Sequence, residues 1–91
     1  MRYVLSYDIT EDKPRTKVAK LMEGVLTRVQ YSVFEGDVPE PRLTEAVQKA
    51  IGLIDPETDS IRIYHLGKNW EQKVEHHGKN DDYNIDAPLI L

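Results

Sequence analysis

What most constrains this chain is the order in which its hydrophobic period changes between the two-residue repeat of a strand and the roughly 3.6-residue repeat of a helix. Arg2 to Ile9 alternates, with Tyr3, Leu5 and Tyr7 on one face and Val4, Ser6 and Asp8 on the other, as a pleated strand requires. Thr10-Glu11-Asp12 reads as a turn leading to a helix N-cap, and Pro14 fits a first helical turn, where its missing N–H costs nothing. Val18, Leu21, Met22 and Val25 then recur at helical spacing, while Lys13, Lys17 and Lys20 line another side, and Gly24 weakens the helix near its end. Arg28 to Val38 is rich in β-branched and aromatic residues and has no strong hairpin dipeptide, so it reads as one long strand or two joined at a kink. Pro39, Pro41 and Thr44 precede a second helix with the apolar face Leu43, Ala46, Val47, Ala50, Ile51 and Ile54, closed by Asp55-Pro56. Asp59 to Leu66 alternates again, Ile61 and Ile63 against Arg62 and Tyr64, and Lys73 to His77 reads as a short edge strand.

This order predicts an α+β fold, a ferredoxin-like βαββαβ sandwich with both helices on one face of an antiparallel sheet, plus a short C-terminal edge strand. The domain is expected over 1–78 and a tail over 79–91, polar and acidic at first and apolar from Ala87 to Leu91. Tyrosines and valines on both faces of the strands leave the helix-free face in need of a cover. A second copy would supply it, giving a two-fold homodimer. Self-association also suits a chain of 91 residues, whose core is small.

A formal charge of −4 argues against coating nucleic acid by bulk electrostatics, so any such contact must be local. The charge is uneven: Arg15, Lys17, Lys20 and Arg28 fall in the first third, whereas Glu35, Asp37, Glu40, Asp55, Glu57 and Asp59 crowd the middle. The absence of cysteine excludes disulfides, thiolate metal sites and cysteine nucleophiles. No stretch approaches the roughly 18 apolar residues of a membrane span, and Met1-Arg2-Tyr3 runs directly into a strand, so a cytoplasmic protein without a membrane partner is expected.

Asp8, ending a strand, is held on rigid backbone beside a cleft. It is placed either to bind a divalent metal or to cap the following turn or helix. Lys13, Lys17 and Lys20, with Arg15 nearby, either follow a phosphate backbone or form a solvated helix face. Arg28 is either a bidentate phosphate clamp or a surface ion pair. Neighbouring His76 and His77 point to opposite sides of a strand and cannot easily share an ion, so with His65 they read as structural or surface residues. Trp70 is a base-stacking platform or part of a core or interface, and Ser32 has no histidine and acid arranged around it for hydrolase chemistry.

Tyr7-Asp8-Ile9, Arg15-Thr16-Lys17-Val18-Ala19-Lys20, Arg28-Val29-Gln30-Tyr31-Ser32-Val33-Phe34-Glu35-Gly36 and Asp59-Ser60-Ile61-Arg62-Ile63-Tyr64 together strongly resemble the CRISPR-associated Cas-two family, across nearly the whole chain. The resemblance implies a ferredoxin-like homodimer that joins the Cas-one integrase in acquiring spacers. It also implies a metal-dependent endonuclease acting on RNA or double-stranded DNA. The family's strand-ending aspartate falls on Asp8, which from both protomers would hold Mg²⁺ and activate water. Its basic positions fall on Arg15, Lys17 and Arg28, and its serine and aromatic on Ser32 and Phe34. Lys17 departs from the arginine some members carry, keeping the charge without the bidentate fork. Two neighbouring aspartates resist joint ionisation without a metal, which implies activity sensitive to pH or conformation. One alternative is a purely architectural DNA-binding adaptor of the integrase, with Leu89, Ile90 and Leu91 docking a partner by strand addition or packing on their own domain. Another is a toxin-like ribonuclease of the same fold.

Overall fold

The computed structural model describes residues 1–66 and 72–79. Its elements are β1 (Arg2–Asp8), α1 (Asp12–Glu23), β2 (Thr27–Gln30), β3 (Val33–Asp37), α2 (Glu40–Ile51), β4 (Ser60–Leu66) and β5 (Gln72–Gly78). β1 pairs antiparallel with β3 on one side and with β4 on the other, giving the sheet order β2-β3-β1-β4-β5. The architecture is the ferredoxin-like sandwich with β5 added beside β4. Tyr3, Leu5 and Tyr7 of β1, Phe34 of β3, and Ile61 and Ile63 of β4 pack against Val18 and Met22 of α1 and Leu43, Val47 and Ala50 of α2. Each such burial contributes about 1.5–3 kcal/mol, so turning β1 over would forfeit several at once. Alternation then sends Ser6, Asp8, Ser60, Arg62 and Tyr64 to the helix-free face.

The structure refines the sequence reading in three places. Arg28 to Val38 is a hairpin, β2 and β3, turning at Tyr31-Ser32, with a bulge between Arg28 and Gln30. No turn dipeptide signals it; the turn carbonyl of Tyr31 accepts from a side chain, the Nε–H of Arg28, at 3.1 Å. Pro41 and Thr44 lie inside α2 rather than before it: the helix begins at Glu40, so Pro41 occupies the first turn, where no N–H is needed. β5 is seven residues long, matching β4, with an unbroken register from Leu66 opposite Gln72 to Ser60 opposite Gly78. No helix among the described residues is long and apolar enough to cross a membrane. Trp70, the greater part of the 79–91 tail, and with it Leu89, Ile90 and Leu91, lie outside the described residues.

Two residues fasten the end of the sheet at which Asp8 sits. Asp59, 1% exposed, accepts hydrogen bonds from the Thr10 N–H and hydroxyl and from the Thr58 hydroxyl, each at 3.1 Å, and from the Asp55 N–H at 3.0 Å. It therefore ties the residues after β1 to the loop before β4. Burial opposes its charge, but these four donors outweigh burial and hold the carboxyl below the usual carboxylate range. Gly78 has φ of 102°, and a Cβ there would run into the Asp59 carbonyl oxygen and stand 2.9 Å from the Ser60 Cα. The next residue donates its N–H to that carbonyl, Lys79 N to Asp59 O at 2.8 Å.

Gly78→Ala is expected to lower unfolding free energy by about 1–3 kcal/mol, read by urea denaturation, because it adds a clash to a left-handed backbone. An unchanged midpoint would mean that β5 does not close on Asp59 in this way. Asp59→Asn is expected to cost about 2 kcal/mol near neutral pH. Since the native carboxyl is held low, its contribution is complete above the unfolded value of about 3.9 and is lost as pH falls through the native value. The gap between wild type and Asp59→Asn should close on acidification below about pH 4. A gap that stays constant there would contradict the assignment.

Candidate functional site

Asp8 is the last residue of β1, opposite Ser60, and its side chain is exposed. The capping alternative does not describe it. The N-cap of α1 is Glu11, which makes no side-chain cap bond, and the first-turn acid is Asp12. Asp8 instead lines a cavity of about 120 Å³ on the helix-free face with Ser6, Ser60, Arg62, Tyr64 and His76. Asp8 is the one carboxylate in that lining. Mg²⁺ takes one or two carboxylates and leaves its remaining positions to water and phosphate oxygens, so a single copy offers a fitting but minimal ligand, which a second Asp8 would double. Among the described residues no cluster of three or more carboxylate or histidine side chains is arranged to hold a metal by itself.

The cavity also contains a cation that the sequence reading did not single out. Arg62 is buried, 7% exposed, and donates from Nε at 3.3 Å and from Nη2 at 3.0 Å to Nδ1 of His76. With Nδ1 accepting, the opposite nitrogen of His76 carries the proton and donates to the Lys79 carbonyl at 2.6 Å. The alternation of β4 already placed Arg62 on the side of the sheet that carries Asp8. What pairs it with His76 is the β4–β5 register, which period-two patterning does not specify.

The other basic residues lie elsewhere. Arg15 is pinned below the β1–α1 connection, donating to the Ile9 carbonyl at 3.1 Å and pairing with Asp12. Arg28 stands opposite Phe34 and thus on the core side of the sheet. It lies 5.5 Å from the Tyr31 ring and 5.3 Å from the Phe34 ring, and it reaches the Tyr7 hydroxyl at 3.4 Å and Glu23 at 3.3 Å. Lys17 and Lys20, with Lys49, rim a groove of about 620 Å³ between the helices, over Leu21 and Leu53. The sheet therefore separates Lys17 and Lys20 from Asp8. Phe34 is fully buried, so its place is beneath Arg28 and not against a substrate. Ser32 works through its backbone, its carbonyl accepting from the Tyr7 N–H at 3.1 Å and joining the hairpin turn to the end of β1.

His76 and His77 do point to opposite faces. His77 and His65 both meet Glu75, at 3.4 and 3.0 Å, on the side away from Asp8.

The family model for CRISPR associated protein Cas2 matches residues 1–74. Among curated proteins, the CRISPR-associated endoribonuclease Cas2 of Chlorobaculum tepidum is 33% identical, the alignment covering all of both chains. The CRISPR-associated endonuclease Cas2 of Halalkalibacterium halodurans is 40% identical, again over the whole of both. Among solved structures, Streptococcus pyogenes Cas2 at pH 6.5 superposes with a TM-score of 0.67 and 39% identity, covering 77% of this chain and 90% of that one. With a family model spanning most of its length, relatives alike from end to end and the same sandwich, this chain belongs to the CRISPR associated protein Cas2 family.

Proposed function

We propose that this chain is a Mg²⁺-dependent endonuclease of CRISPR adaptation, cutting RNA or double-stranded DNA phosphodiesters as a cytoplasmic homodimer and partnering the Cas-one integrase in spacer acquisition. The observation that carries the reading is the position of Asp8: an exposed carboxylate at the end of a central strand, in a polar cavity, engaged neither as a helix cap nor in an ion pair among the described residues. The names of the relatives, endoribonuclease and endonuclease, support the same chemistry. Asp8 from both protomers would hold the metal. When bound, Mg²⁺ supplies an acidified water and positive charge to offset that of the phosphate oxygens. Asp8 is presented on backbone hydrogen-bonded along both edges, so little reorganisation is needed to present it. Lys17 and Lys20, on the opposite layer, serve phosphates distant from the bond that is cut, and Arg28 orders the hairpin beside β1.

Dimer formation is expected to give twice the chain mass by light scattering for wild type and Asp8→Asn alike. In a cleavage assay on labelled single-stranded RNA and double-stranded DNA, Asp8→Asn should lose at least about a hundredfold in rate, and chelator should abolish wild-type cutting. Cutting by Asp8→Asn at the wild-type rate would refute the assignment. No cutting by either protein, with duplex DNA still bound, would replace the nuclease with the architectural adaptor.

A further inference from the structure

The groove between the helices joins an apolar floor to a basic rim. Leu21 of α1 and Leu53, just past α2, are half-buried at its floor and pack on the core. Lys17, Lys20 and Lys49 stand exposed around it. Lys49 meets Glu45, one turn earlier on its own helix, at 3.4 Å, an exposed pair that is weakly held. Lys17 and Lys20 make no hydrogen bond or ion pair among the described residues. An occupant therefore needs aliphatic side chains for the floor and carboxylates for the rim. A second copy of the same groove lacks the carboxylates, since it would bring Lys17, Lys20 and Lys49 against themselves. A phosphate backbone supplies the charge but nothing for the leucines.

We propose that residues 80–91 of the same chain dock in this groove and compete there with nucleic acid for Lys17 and Lys20, the competition resting on the phosphate role given to those lysines above. The segment lies outside the described residues, and its sequence carries both halves of the match. Asp81, Asp82 and Asp86 give it three carboxylates and it has no basic residue, while Ile85, Leu89, Ile90 and Leu91 are aliphatic. Opposite charge selects this groove over the acidic surfaces of the molecule, and the leucine floor selects it over a purely basic one. The groove is also within reach. The Lys79 N–H bonds the Asp59 carbonyl at 2.8 Å, the Asp59 N–H bonds the Asp55 carbonyl at 2.7 Å, and Leu53 is two residues before Asp55. That path bounds the distance from Lys79 to the groove floor at roughly 20 Å. The twelve residues 80–91 can span roughly 40 Å. Attachment to the same chain makes the encounter intramolecular, at an effective concentration of about millimolar, so weak pairs at the rim suffice.

The test uses the full chain, which contains no cysteine, so a nitroxide on Asn84→Cys is unique. It should broaden the methyl resonances of Leu21 and Leu53 more strongly than those of Val4 on the helix-free face. Equal broadening at both places, or none at either, would overturn the docking. Lys17→Glu with Lys20→Glu, both on the exposed rim, should abolish the effect, and adding Asp81→Lys with Asp82→Lys should restore it. Broadening that survives reversal of the lysines would overturn the charge match on which the proposal stands. In a mixture of nitroxide-bearing chains at natural isotopic abundance with isotope-labelled chains lacking the nitroxide, the broadening should be lost. Its persistence would give the groove to the segment of a second copy and overturn the assignment to the same chain. Competition is read with fluorescein-labelled duplex DNA and single-stranded RNA in an Asp8→Asn background, where binding is measured without cleavage. Replacing Asp81, Asp82 and Asp86 together by asparagine should tighten binding about tenfold. Unchanged affinity would overturn the competition. Because docking is read without nucleic acid, a failed nuclease leaves the docking result standing, and an empty groove leaves the role of Asp8 standing.

Discussion

The whole arrangement depends on β1 being hydrogen-bonded along both edges while only one of its faces is packed by helices. β3 and β4 fix its register on either side, so its residues cannot rotate or slip without breaking two ladders. Tyr3, Leu5 and Tyr7 must face the helices, because no other choice buries them. Given that, Asp8 has no freedom about which side of the sheet it presents. The hydrophobic effect, acting on three residues, decides where a charged fourth one goes.

The same division separates two kinds of positive charge. Lys17 and Lys20 of α1, with Lys49 of α2, stand on the helix layer, exposed, over an apolar floor. Arg62 stands on the sheet, buried and oriented through hydrogen bonds. Exposed charge of the first kind is screened by salt, whereas the second is held in place by its hydrogen bonds. Arg28 belongs to neither set. Its guanidinium holds together the turn carbonyl, the Tyr7 hydroxyl and two aromatic rings, which is how a hairpin without glycine or asparagine at its turn keeps its shape.

Much of this was legible in the sequence because alternation and helical spacing are local signals. The strand that ends at Asp8, both amphipathic helices, and the opposed faces of Ile61 and Arg62 follow from residues within a few positions of one another. What did not follow was anything set by pairing across the sheet. The turn at Tyr31-Ser32 depends on a bond from Arg28, the full length of β5 depends on β4, and the four donors on Asp59 come from two segments far apart in sequence. Resemblance to a family placed Asp8 and the basic positions in one functional set, but it could not say that the sheet stands between Asp8 and Lys17. Thr44 was misplaced for a related reason: proline tolerates a first helical turn as readily as the residue before it.

The register of β5 has one more effect. Gly78 lies opposite Ser60, and Ser60 lies opposite Asp8, so the three occupy one rung of the sheet. At about 4.8 Å between neighbouring strands, Gly78 is roughly 10 Å from Asp8 across the ladder. The end of β5 therefore lies two strands from the carboxylate, although more than half the chain separates them in sequence. A fluorophore or spin label carried at position 79 itself would sit one residue beyond that rung, and would report on the neighbourhood of Asp8 or intrude on it.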